Sequence, residues 1–108
     1  MLDEFAVRID HRAEEAAVAV SGLVDLDSGN RLFDALADVL GRPGTRRVTV
    51  DLAEVTLLDA YGVGVLLAGR NRARTAGVRF RVTNAEGIVR EVLQIVGLLD
   101  VLTNRPAP

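Results

Sequence analysis

Val55-Thr56-Leu57-Leu58-Asp59-Ala60-Tyr61-Gly62-Val63-Gly64-Val65-Leu66-Leu67 runs from an apolar stretch through one acidic residue into an apolar segment interrupted by glycine. The first part reads as the end of a strand, Asp59 as an acidic turn, and the remainder as a helix from about Gly62 to Ala76, stopped by Gly77. Glycines at 62, 64 and 69 each cost a helix interior about 1 kcal/mol relative to alanine. They allow either close packing on a sheet or the approach of another backbone. Val63 and Leu67 are spaced i, i+4, while Val65, Leu66 and Ala68 fall on other faces. The first two turns are therefore apolar nearly all round, which is more than one sheet-facing stripe requires. Burial under a neighbouring helix accounts for part of this, and a partner surface is the favoured reading.

Upstream, Phe5, Val7 and Ile9 alternate with polar or small residues as in a strand with one wet face. Glu14 and Glu15 are assigned to a turn, and Ala16 to Val20, apolar on both faces, to a more central strand. Asp27 or Ser28 is the expected cap of a helix carrying Leu32, Phe33, Leu36, Ala37, Val39 and Leu40, stopped by Gly41. Val48, Val50 and Leu52 mark a third strand, and Val78 to Val82 an edge strand packed on one face. Asn84 is the expected cap of a last helix with Ile88, Val89, Val92, Leu93 and Val96, closed by Gly97. The order β-β-α-β-α-β-α predicts an α/β fold with a mixed, mostly parallel sheet and helices packed against it. A single domain is expected over residues 1–108, its core at about 4–103, with a frayed tail at 104–108.

Composition narrows the chemistry. The 108 residues contain no cysteine, which excludes thiolate nucleophiles and disulfides, and one histidine, His11, which excludes a histidine pair for zinc. No metal or other cofactor is expected. No apolar run approaches the ~20 residues that span a bilayer, and the Met-Leu-Asp-Glu start lacks a basic leader. A cytoplasmic protein without membrane insertion is expected. Residues 1–54 carry 6 arginines against 11 acids, and residues 55–108 carry 7 against 4, so the halves are net −5 and +3. Such a dipole can orient a partner. It does not suit direct nucleic-acid binding, because the chain is net −2 and its basic half has only Tyr61 and Phe80 for stacking.

Taken together, Val50-Asp51-Leu52, Val55-Thr56 and Leu58-Asp59-x-x-Gly62-Val63-Gly64-Val65-Leu66 resemble the signature of STAS domains, specifically bacterial anti-sigma factor antagonists. Gly22-Leu23-Val24-Asp25, Ala76-Gly77-Val78-Arg79-Phe80 and Val92-Leu93-Gln94-Ile95-Val96-Gly97-Leu98 extend the resemblance over essentially the whole chain. It implies a non-catalytic switch that docks on an anti-sigma factor which is also a serine kinase. The kinase then phosphorylates the hydroxyl immediately after the motif's aspartate. A phosphate adds about −1.5 to −2 charge beside a carboxylate in a surface that binding must desolvate, and so drives release.

Here that position is Ala60, which has no hydroxyl, and it is followed by Tyr61 where the family usually has a small residue. Three readings remain: an antagonist that binds constitutively, a scaffold-type STAS protein, or an alanine introduced to block phosphorylation. The residues singled out for partner binding are Asp25, Asp59, Ala60, Tyr61, Gly62, Val63 and Leu67. Asp25 and Asp59 serve equally well as local caps. Tyr61 is either an exposed anchor or folded over Leu58, and Thr56 is expected in the strand-to-loop turn. Arg70, Arg72 and Arg74 suit the helix C-terminus or an acidic partner. The alternative function is a scaffold or accessory subunit of a stress-sensing complex or lipid transporter. An enzyme using two carboxylates lacks a nucleophile, a phosphate loop or a third metal ligand. Whether two copies pair is left open.

Overall fold

The computed structural model describes residues 4–103, so the expected frayed tail at 104–108 lies outside the described residues. Alternation from Phe5 gives β1 (Ala6–Arg12), which pairs antiparallel with β2 (Glu15–Val24) through a tight hairpin. Glu15 belongs to β2, not to the turn: it pairs with Arg12 in register and accepts from Arg47 Nη2 at 2.8 Å. Ala13 holds the turn with φ of 51°. Along β2, Ala16, Val18 and Val20 are buried while Ala17 is exposed, so this interior strand is covered on one face and not on both.

The chain then forms α1 (Leu26–Leu40), β3 (Arg47–Leu58), α2 (Ala60–Ala76), β4 (Arg79–Thr83), α3 (Gly87–Ile95) and a short α4 (Leu99–Thr103). The sheet order is β1-β2-β3-β4, with β2, β3 and β4 parallel. Because the order advances one way, crossovers of one hand place α1 and α2 on the same face. The row Ile9, Val18, Val50, Val82 lies on that covered face. The next row, Asp10, Ala17, Thr49, Arg81, lies on the bare one. β4 takes the edge position that its alternation predicts.

Three boundaries differ from the sequence reading. The cap of α1 is Asp25, because Asp27 and Ser28 already lie inside the helix. The residue at the N-cap of α3 is Glu86; Asn84, at φ of 57°, instead donates to Asp51 Oδ1 at 3.0 Å. Beyond the Gly97-Leu98 closure, α4 adds Leu99 and Leu102 to the core.

The largest difference is in β3, which continues six residues past Leu52. Two register shifts against β2, between Ala19 and Ser21 and between Gly22 and Leu23, each insert an extra β3 residue. Burial therefore changes from every second to every third residue: Leu52, Val55 and Leu58 point inward while Ala53-Glu54 and Thr56-Leu57 are exposed. Thr56 lies inside this strand and not in a turn.

Candidate functional site

Parallel strands with same-side crossovers bring the start of each following helix to one end of the sheet. Val24 and Leu58 are paired across β2 and β3, and the next residue of each strand, Asp25 and Asp59, caps the helix that follows. Asp59 Oδ1 accepts from Gly62 N at 2.9 Å, and its own N–H donates to Val24 O at 3.2 Å, tying the turn to β2. Asp25 Oδ1 accepts from Ser28 N at 3.0 Å, while Asp25 N donates to Ser28 Oγ at 2.9 Å in a reciprocal box. The Ser28 hydroxyl, which is buried, reaches Leu23 O at 2.8 Å and Asp25 Oδ1 at 2.9 Å. The Ser28 backbone N–H, followed by the Ser28 hydroxyl, holds the Asp25 carboxyl below its ordinary pKa. Both aspartates thus serve as caps, and Asp59 keeps an exposed side at the strand-end surface.

The residues after Asp59 divide sharply. Ala60 is exposed. Tyr61 is 39% exposed and does not fold over Leu58: its ring lies on Gly29 of α1, and its hydroxyl donates to Asn30 Oδ1. Gly62 is buried, and a Cβ there would sit 2.6 Å from Leu58 Cδ1 and 2.8 Å from Val24 Cγ1. Val63 is only 6% exposed and Leu67 is half-buried. The all-round apolar character of the first turns of α2 therefore reflects burial of Val63, Val65 and Leu66 beneath the molecule's own elements. Gly69 is likewise a packing position, its added Cβ 3.1 Å from Leu36 Cδ1 and 3.2 Å from Phe80 Cζ. Gly64 differs: it is exposed, with nothing within 4 Å of an added Cβ.

Two surface residues escaped the sequence reading. Leu57 is 46% exposed beside the Asp59 turn, and Leu26 is 61% exposed beside Asp25. The available signal was the lost alternation in Thr56-Leu57-Leu58, which a bulge resolves by turning Leu57 outward. The strand-end face thus combines Leu26, Leu57, Asp59, Ala60 and Tyr61.

A second feature is a groove of about 280 Å³ between α1 and α2, lined by Phe33, Tyr61, Gly64, Val65 and Ala68. Another cavity, of about 410 Å³, lies at the end of β4 among Arg81, Thr83, Asn84, Glu86 and Arg90. Among the described residues no group of three or more His, Cys, Asp or Glu could hold a metal ion. No helix among them is long and apolar enough to cross a membrane. The strand-end arrangement offers contact area, the exposed carboxylate of Asp59 and a rigid backbone.

Comparison with known proteins agrees with this architecture. The STAS_2 family, described as "Mlab, STAS domain", matches residues 7–103. An anti-sigma factor antagonist from Mycobacterium paratuberculosis superposes with a TM-score of 0.81 at 22% identity, over 94% of this chain and 84% of its own. The anti-sigma factor antagonist SpoIIAA in its unphosphorylated form gives 0.78 at 17% identity, over 91% of this chain and 85% of its own. The phosphorylated form of SpoIIAA, the Bacillus cell fate determinant, gives 0.73 at 16% identity, over 91% and 88%.

Proposed function

This chain belongs to the STAS domain family, and from that premise we propose that it is a non-catalytic cytoplasmic binding module that docks on an anti-sigma factor of the serine-kinase type. The observation that carries the reading is the exposed Asp59-Ala60-Tyr61 turn, rigidly capped and flanked by the exposed Leu26 and Leu57. Solvent-exposed leucines beside a fixed carboxylate supply an apolar contact with an electrostatic register, and Tyr61, 39% exposed, is of the aromatic type that dominates interface energies. About 800 Å² per partner is enough for a specific complex. Gly62 and Val63 support the turn from within, and Leu67 lies half-buried at its margin.

Ala60 stands where the family resemblance puts a phosphorylatable hydroxyl, so complex formation here is not reversed by phosphorylation at that position. The test is calorimetric titration against a kinase-type anti-sigma factor. Asp59→Arg and Leu57→Glu each weaken binding by about 30-fold or more, the loss of one hot-spot contact, while circular dichroism remains that of the parent. Unchanged affinity in both variants removes this face from the reading.

The missing hydroxyl also favours a second reading, a scaffold or accessory subunit of another assembly that needs no phosphorylation cycle. Neighbouring genes separate the two: sigma or anti-sigma genes support the first, and permease genes the second.

A further inference from the structure

α1 and α2, the two walls of this face, carry opposite charges. α1 contains Asp27, Asp34 and Asp38 against Arg31, a net of −2, whereas α2 contains arginines and no acid, with Arg72 on the groove side and Arg70 and Arg74 about 200° round the helix from it. Between the walls runs the apolar groove of Phe33, Tyr61, Gly64, Val65 and Ala68. Its far end is closed by Arg72, whose guanidinium carbon lies 5.9 Å from the Phe33 ring centroid. Asp34, Asp38 and Arg72 are all exposed.

Gly64 gives the groove a feature that this chain's own packing does not account for. Gly62 and Gly69 are fixed by neighbours within 3.2 Å of an added Cβ, but an added Cβ at Gly64 meets nothing within 4 Å. An exposed helical glycine costs about 1 kcal/mol relative to alanine. Together with the half-buried Ala68 one turn later, it leaves a bare notch in which another backbone can come close.

We propose that this face is the surface through which two copies of the chain pair, α1 of each copy lying against α2 of the other across a two-fold axis that runs along the groove. Charge selects both the occupant and the axis. α1 and α2 connect parallel strands on one face and so run parallel to each other. A two-fold axis along the groove then sets the acidic helix of each copy over the basic helix of the other. The perpendicular axis opposes α1 to α1 and α2 to α2, which like charges disfavour. In the favoured arrangement Asp34 and Asp38 of one copy meet Arg72 of the second copy, and the Gly64–Ala68 notch receives its α1.

Helices of 15 and 17 residues are about 22 and 25 Å long. A face two helices wide therefore buries less than the ~800 Å² per partner of a standard interface, and the dimer is weak. The groove adjoins the strand-end face at Tyr61 but includes none of Leu26, Leu57 or Asp59, and the test of the pairing needs no other protein.

The experiment is sedimentation velocity on the full chain from about 10 μM to about 1 mM, with circular dichroism as a check of folding. The expected Kd lies between about 10 and 500 μM, weakening several-fold as salt rises. Gly64→Arg, which places a good helix former in open space, weakens pairing at least ~10-fold, and so does the double change Asp34→Arg and Asp38→Arg. Adding Arg72→Asp to that double variant restores a large part of the loss. A monomer across the whole range, a dimer indifferent to Gly64→Arg, or a charge reversal without rescue overturns the proposal.

Discussion

Tyr61 lies so close to Gly29 that a Cβ on residue 29 would sit 2.7 Å from the ring. The aromatic ring at the start of α2 is thus seated in a notch of α1, with its hydroxyl fixed by Asn30. This contact holds the Asp59 turn against the helix that Asp25 caps.

Gly29→Ala forces the ring out of that seat. A stability loss of about 1–3 kcal/mol is expected in urea denaturation, the usual cost of overpacking. On a Tyr61→Ala background the same change costs about 1 kcal/mol less, so the double-mutant cycle reports the coupling directly. Additive losses rule out the contact as the cause.

The α2 glycines respond in opposite directions. Gly64→Ala gains about 1 kcal/mol of helix propensity with nothing in its way. Gly62→Ala meets Leu58, Val24 Cγ1 and, at 3.2 Å, the Val24 carbonyl. A net loss of about 1–3 kcal/mol is expected despite the better propensity. Thermal denaturation of the two variants side by side checks the sign.

Asp59→Ala removes the acceptor for Gly62 N and destabilises by about 1 kcal/mol, whereas Asp59→Asn, which retains a capping oxygen, changes stability far less. Comparing the two in the binding titration separates the cap from the charge: a contact that requires the carboxylate is lost in both, and one that requires only an ordered turn survives in Asp59→Asn.

Asp25 makes acid stability depend on the Ser28 box. Its folded pKa is depressed, so the stabilisation is full above the ordinary carboxylate pKa and falls away as pH drops through the lower folded value. Asp25→Asn should flatten that part of the stability curve. Parallel curves for parent and variant in the acid range would show that the box does not contribute.

Ala60→Ser restores a hydroxyl at an exposed position, the first of α2. Incubation with a kinase-type anti-sigma factor, the partner proposed above, and labelled ATP should leave the parent unlabelled and label the variant. Stoichiometric label at Thr56 or Tyr61 of the parent would place the switch elsewhere on this surface.

The β-β-α-β-α-β-α succession and the C-terminal end of α2 were legible because periodic apolar positions and Gly77, at φ of 72°, mark them locally, whereas α2 begins at Ala60, two residues before the expected Gly62. The adjacency of Asp25 and Asp59 is a consequence of the parallel pairing of Val24 with Leu58. What stayed hidden depends on partners distant in sequence. The seat of Tyr61 is 32 residues away at Gly29 and 31 away at Asn30. No local pattern tells a glycine that packs, Gly62, from one that faces solvent, Gly64. Asp25 lost the capping assignment to Asp27 and Ser28 because all three have the right chemistry, and only the path of β2 decides which of them precedes the first turn. β3 appeared too short because its two bulges replace alternation with a three-residue rhythm.

That rhythm also constrains how this strand can drift in length. Each bulge is one β3 residue more than β2 can pair, so removing a single residue between Leu52 and Val55, or between Val55 and Leu58, restores plain alternation and leaves the inward positions and the Asp59 cap in place. Removing one residue between Val48 and Leu52, where the ladder has no slack, turns every later side chain over and sends Leu58 to solvent. The approach to the Asp59 turn can therefore be shortened at its two kinks but not along the regular ladder before them.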